Sequence, residues 1–456
     1  MLRFLPLFFA FFLATQALAE PLTLQKNETW SGIKFAKEAI IVPENVTLTI
    51  QAGTEIVFSE GASLNVLGRL LAKGSLKNPV IFRSSNGSKA GSWQGIVFEQ
   101  GSREGSELLN VRIEGASQGV TMTGAKVRIA DATLRHCGKG ILSGVGAYLL
   151  VERTTISDMN EGGIDASVGS QGKITGCQIR RVANFGIQIG KKSGFFINDN
   201  QISNAKIGIS ISGDSPPVER NSIDHCDAGI VLLQTTPNTI VRGNKITDCK
   251  SGIACHQFAA PVLEKNVIER CEVGIDCFQA SSPTVRQNQL KSNQRGISCI
   301  QLCNPAVTAN DFNDNKTGIY LHLSSYPQIH NNNFDGNHFH IELDNMSYDW
   351  EVRAKGKPVR SREKQSELLS MKERSNPKAF QIEAGKEGYV NAKENFWGKT
   401  TTAEMSTKGD NANISTIQDA YDVPTRTYEG WPGEYKQDQV KYNGWKKTRI
   451  AGTFNP

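Results

Sequence analysis

Gly-Ile recurs along this 456-residue chain, and the residues just after its Ile include groups able to do chemistry. Asp276 and Tyr320 stand one position past the Ile, as does Glu342 after Ile341. His256, Phe278, Ile300 and His322 stand three positions past it. An imidazole beside a carboxylate can move a proton, and both groups can bind hydroxyls. An aromatic or apolar side chain offers a face on which a flat ligand can rest. If the dipeptide lies in a strand, alternation sends all seven residues to the side facing solvent. Ala254, Ser298 and Asp344 share those two offsets. Apolar groups on a solvated strand face predict either a shallow binding groove or a surface covered by another part of the chain.

Histidine and cysteine are the other candidates. His338 and His340 alternate near His330, a spacing that can ligate copper or zinc on a strand; the reading adopted is a satisfied polar cluster. Nine Cys fall largely in register, with Cys226, Cys249 and Cys271 in one row and Cys255, Cys277 and Cys299 in another. The first row continues as Asn293, Asn315 and Asn337. Small buried hydrophobes stacked in a core explain such rows. A disulfide between successive rungs is within distance range, and the odd count leaves at least one thiol outside any internal pairing. Tetrahedral zinc would need thiols that converge, which parallel side chains resist. The expectation is no metal and no cofactor.

The elements that place these residues follow from the period. Gly-Ile recurs nine times from Gly140 to Ile319 at intervals of 21 to 23 residues. Such a period marks a solenoid. Residues 266–288 show one repeat: Asn266-Val267-Ile268, then Gly274-Ile275-Asp276-Cys277-Phe278, then Pro283-Thr284-Val285. Each piece alternates with the strand period of two. Three short strands between Gly, Asn, Ser and Pro corners make one turn of a parallel β-helix. Rows then stack along the axis. Asn221, Asn244, Asn266, Asn288, Asn310 and Asn332 share one corner, and Ile202, Ile223, Ile246, Ile268, Leu290, Phe312 and Phe334 share an inward row.

Residues 1–19 read as a signal peptide: Arg3, an apolar run from Leu5 to Ala14, then Ala17-Leu18-Ala19 at a cleavage site. This predicts export, to the periplasm or beyond the cell. No later stretch is long and apolar enough to span a bilayer. Residues 20–45 are expected to cap the N-terminal edge, 46–350 to form the β-helix, and 389–398 to add a final coil. Residues 399–456, with Trp431, Tyr435, Tyr442 and Trp445, are expected as an aromatic C-terminal cap. Residues 351–388 form a basic excursion, with a short helix predicted near 361–374. Nine Lys or Arg meet four Asp or Glu in 351–378, making that stretch a candidate partner contact. The net charge of +6 is too mild to imply nucleic acid.

The Asn-x-Ile and Gly-Ile repeat resembles the exported right-handed parallel β-helix repeats of the carbohydrate-binding and sugar-hydrolase type. Trp30-Ser31-Gly32 and Val46-Thr47-Leu48-Thr49-Ile50 resemble the opening of many exported bacterial β-helix proteins, and Asn395-Phe396-Trp397-Gly398 is similar to an element that often closes them. The resemblance implies an all-β, single-stranded solenoid over most of residues 30–398. It implies sugar polymers as ligands and leaves activity open, because such folds host many chemistries. The polygalacturonase-like set would imply adjacent Asp residues and Gly-His-Gly, and the epimerase-like set Asp-Pro-His; this chain has none of these. The expected function is therefore binding of an extended polymer, a polysaccharide, on the lateral face without catalysis. The alternatives are a polysaccharide lyase, hydrolase or epimerase, and a structural or partner-docking envelope protein.

Overall fold

The computed structural model describes residues 20–454, apart from residues 88, 101–104, 168 and 356–387. The chain is an all-β parallel solenoid of about 14 turns. One coil contains the strands Val267–Glu269, Val273–Phe278 and Thr284–Arg286. Each pairs in parallel with its counterparts one coil before and one coil after. Three ladders therefore run along the axis, here called the first, second and third sheets in the order the chain visits them. Among the described residues the third sheet has 16 strands. The first and second join into one 28-stranded sheet, because Gln178–Ile189 and Gln201–Ser212 run through the corner between them without a break.

Two rows explain why the repeat takes its sequence form. The Gly of Gly-Ile is a matter of space. A Cβ on Gly252 would lie 2.5 Å from the Gly274 carbonyl oxygen and 2.6 Å from a methyl carbon of Ile268. The Ile beside it is fully buried in every coil, and Ile253, Ile275, Ile297, Ile319 and Ile341 pair directly. The second row is amide. Asn266 Oδ1 accepts both the backbone N–H and the side-chain N–H of Asn244, at 3.0 Å each, and its own amide donates to Asn288 at 2.9 Å. This chain of bonds starts at Asn200, one rung before the expected row, and runs through Asn332 to Asn395. Each amide is buried and satisfied, which removes the penalty for placing it inside.

The jump from Asn332 to Asn395 shows how the chain leaves the solenoid and returns. Asn395 takes the hydrogen bonds that the next coil's Asn would take. Trp397 then stacks on Phe334 with centroids 4.8 Å apart, extending the Phe312–Phe334 stack. Helix Tyr348–Lys355 begins the excursion; the helix expected near 361–374 lies outside the described residues.

Both ends carry strands that join the ladders. Residues 20–45 carry strands in register with the coils above them: Leu22 with Ile40, Thr29 with Thr49, and Phe35 with Val57. Alternation in Ile33–Ala36 and Ile40–Val42 is enough to pair, so this stretch supplies the first rungs of the ladders. The tail also adds rungs. Ile417–Gln418 extends the second sheet and Gln439–Lys441 the third. Around them lie helix Gly398–Lys408 and an antiparallel hairpin of Thr425–Tyr428 and Trp431–Lys436. Among the described residues no helix is long and apolar enough to cross a membrane.

Candidate ligand-binding face

The second sheet holds all seven sequence-predicted residues. Its strands Ser251–His256, Val273–Phe278, Arg295–Ile300, Thr317–His322 and Phe339–Asp344 stack in unbroken register. Inward positions are filled by the Ile row and by Cys255, Cys277, Cys299, Leu321 and Leu343. The outward positions carry the candidates, in two clusters.

His256, Asp276 and Phe278 form the first cluster. His256 Nε2 lies 3.1 Å from Asp276 Oδ2, and the side chains keep 31% and 25% of their exposure. Phe278 meets the His256 ring edge-on, with centroids 5.7 Å apart. Ile300, half-buried, stands between Phe278 and His322 in the same row.

The second cluster centres on Tyr320. Alternation predicts an exposed ring, but Tyr320 keeps only 7% of its surface. The cause is Arg295, whose guanidinium lies over the ring, 3.7 Å from its centroid. The phenol donates to Asp344 Oδ2 at 2.7 Å, and the His322 ring lies nearly parallel to that of Tyr320 at 6.2 Å. Asp344 Oδ1 accepts from Arg426 of the tail hairpin at 2.7 Å. Burial works to raise the Asp344 carboxyl, but the Tyr320 hydroxyl, Arg426 and His322 outweigh it and hold it below the ordinary value. Burial and the Asp344 hydrogen bond both push the Tyr320 phenol up, so it serves as a hydrogen-bond donor and not as a base. Glu342 accepts from Thr317 Oγ1 at 2.7 Å.

Arg295, Thr317 and Arg426 contact the candidate residues, and the sequence reading did not single them out. Arg295 and Thr317 each stand two positions before the Ile of a coil, an offset that could have flagged them. Arg426 comes from a hairpin far along the chain, and no periodicity points to it. The tail meets the face at its C-terminal end, at Asp344 and Asn345. A concavity of about 830 Å³ lies on the corner between the first and second sheets, away from these clusters.

The histidine cluster does not converge. His340 is buried against Trp397, His338 is exposed, and His330 lies near the Lys393 carbonyl, 3.3 Å away. All nine Cys are buried thiols outside any disulfide.

Ladder pairing and the family model that matches the chain define a class, the right-handed parallel β-helix. The right-handed β-helix region model matches residues 70–223 and 111–257. Within that class, residues 186–365 match the family described as periplasmic copper-binding protein (NosD). No curated protein matches the chain. Among solved structures, the periplasmic alginate epimerase AlgG is similar at 13% identity and a TM-score of 0.40, over 64% of this chain and 74% of that one. The GH136 lacto-N-biosidase from Eubacterium ramulus has 12% identity and a TM-score of 0.36, over 65% and 63%. The A-module of the Azotobacter vinelandii mannuronan C-5 epimerase AlgE4 has 13% identity and a TM-score of 0.32, over 65% and 82%.

Copper, named for that family, can be tested against the residues present. Among the described residues no group of three or more His, Cys, Asp or Glu is placed to hold a metal ion. A multidentate copper centre therefore does not fit them.

Proposed function

We propose that this is an exported protein, periplasmic or secreted, that binds an extended polysaccharide along the outer face of its second sheet without transforming it. One observation carries the reading: Phe278 and Ile300 sit in one outward register row, flanked by the His256–Asp276 pair and by the Tyr320–Asp344–Arg426 cluster. Rungs repeat about every 4.8 Å. His256–Asp276 and His322–Asp344 are three rungs apart, so like polar groups recur roughly 14 Å along the axis. A polymer lying parallel to that axis would meet the same chemistry again as it extends. Arg295 occupies the Tyr320 ring face, so stacking on the ligand falls to Phe278, and Asp276, Glu342 and the histidines bind hydroxyls.

The signal-like segment supports export. The catalytic reading rests on the His256–Asp276 pair, whose geometry suits proton transfer. Its Asp276 is shared with one imidazole, and the neighbouring Asp344 is already held by Tyr320 and Arg426, which favours binding over catalysis. Affinity electrophoresis against a panel of neutral and uronate polymers tests the proposal. Phe278→Ala should weaken binding roughly ten- to a hundredfold, since burying a Phe contributes about 1.5–3 kcal/mol. Unchanged retardation in Phe278→Ala combined with His256→Ala would defeat it. Release of unsaturated or reducing ends by the parent protein would favour the enzyme instead.

A further inference from the structure

Large apolar side chains are scarce on the outside of the shaft. Among the described residues between 80 and 345, only Val145, Tyr148 and Phe196 stand exposed, keeping 60%, 43% and 54% of their surface. All three fall on one short stretch of the axis. Tyr148 pairs with Gln171, and Gln171 with Gly194, so the strands of Tyr148 and Phe196 are two rungs, about 10 Å, apart. Leu150 and Lys173 bridge that gap, because Leu150 pairs with Lys173 and Lys173 with Phe196. Val145 projects between Gly144 and Gly146, on the corner where Lys139–Ser143 of the second sheet gives way to Tyr148–Glu152 of the third. Apolar residues scattered singly on a surface need no explanation, but a group rimmed by polar residues marks a contact.

The rim is cationic. Lys126, Lys173, Lys191 and Lys192 are exposed, and none is ion-paired to a described residue. Nearby carboxylates are already engaged: Glu152 by Arg128 at 2.7 Å, Asp131 by Arg153 at 2.8 Å and Asp199 by Arg220 at 2.8 Å. Asp214, on the corner beyond Lys192, accepts from the N–H and hydroxyl of Thr236. Four ammonium groups against that one carboxylate leave a positive surplus.

The shape selects among anionic partners. An extended sugar chain needs an open ring face or a trough. Lys126 already lies over the Tyr148 ring, 5.8 Å from its centroid, and the corner is convex. Apolar tips among ammonium groups instead match a layered partner, with anionic heads above hydrocarbon. Lysine stems can follow the apolar surface while their charges stay at the heads, and tyrosine suits that boundary.

We propose that this corner docks on an anionic phospholipid surface, with Val145 and Phe196 entering the head-group region and the four lysines pairing with lipid phosphates. The contact stands apart from the polymer-binding face and does not depend on it.

The test is co-sedimentation of the exported chain, without residues 1–19, with vesicles of mixed phosphatidylcholine and phosphatidylglycerol, and with vesicles of phosphatidylcholine alone. The mixed vesicles should bind it and the neutral ones should not. Binding should vanish in about 1 M salt, where charges are screened beyond about 3 Å. Lys173→Glu with Lys192→Glu should weaken it at least about tenfold, and Val145→Ser with Phe196→Ser about tenfold. Lys245→Glu with Lys291→Glu, the same charge change on the first sheet, should leave it unchanged. Every substituted side chain is exposed, so each variant should keep the parent's circular dichroism. A parent that ignores the mixed vesicles overturns the proposal. So does vesicle binding that persists in both corner variants, which would place the contact elsewhere, as in the basic 351–378 stretch. Retention on an immobilised uronate polymer that both corner variants lose, without vesicle binding, would replace the lipid by a sugar.

Discussion

His340 stands where the coil repeat would place Gly, and its buried ring ties the last regular coil to the closing segment. Its Nε2–H donates to the Trp397 carbonyl at 3.0 Å, with Thr401 Oγ1 at 3.2 Å, and its Nδ1 faces the Asn337 amide nitrogen at 3.3 Å. The neutral ring is satisfied on both sides. A second proton on Nδ1 would point at the Asn337 N–H, donor against donor. Burial pushes the imidazole down to about 4, with the Trp397 carbonyl working the other way. The unfolded chain would bind that proton near pH 6.5. As pH falls from 6.5 the unfolded state is protonated first, so stability declines until about pH 4 and then levels. At 1.36 kcal/mol per unit, the 2.5-unit interval is worth about 3 kcal/mol. Urea unfolding followed by tryptophan fluorescence at pH 7.5, 6.0 and 4.5 reads this, supported by hydrogen exchange of the C-terminal amides, because solenoid ends can open separately. His340→Gln should be less stable at pH 7.5 and nearly flat down to pH 4.5. Carboxylates such as Asp158, held near 2 by Arg181, lose their contribution only below this window. His225, raised by Asp224, acts in the opposite direction. Equal losses in parent and variant between pH 6.5 and 4.5 would refute the assignment.

Two further outcomes are expected. Asn266→Ala should cost about 3 kcal/mol or more in urea unfolding, since it strands the backbone N–H of Asn244, removes the partner of its side-chain N–H and takes one donor each from Asn288 Oδ1 and the Val241 carbonyl inside the protein; a cost under 1 kcal/mol would mean the amide row carries little stability. Gly252→Ala should cost about 2 kcal/mol or more, because backbone blocks the added methyl, and an unchanged midpoint would show that the coils can slide apart to admit it.

The solenoid was legible because its signals repeat. Gly252 and its equivalents, the Asn row and the Ile row each recur at one spacing, and a period-two pattern has few other readings. The seven face residues followed from the same alternation. Burial did not, because it depends on partners outside the repeat: Arg295 over Tyr320, and Arg426 from the tail on Asp344. The strands within residues 20–45 were not legible because they are short and lack the Gly-Ile mark, although alternation was present in Ile33–Ala36. Cys226, Cys249 and Cys271 were placed correctly as a row, but sequence could not show that only these three reach the surface.

The hand-over from Asn332 to Asn395 has a consequence for how such a chain can change. More than sixty residues intervene, yet the donors and acceptors at the junction are those of any neighbouring pair of coils. Phe334, Ile341, Leu343 and Met346 before the excursion and Val390 and Ala392 after it still belong to the core, so it is the sequence between them that can be lengthened, exchanged or charged differently while the axis keeps its pitch. Novelty can therefore accumulate at one corner while the shaft behind it stays the same.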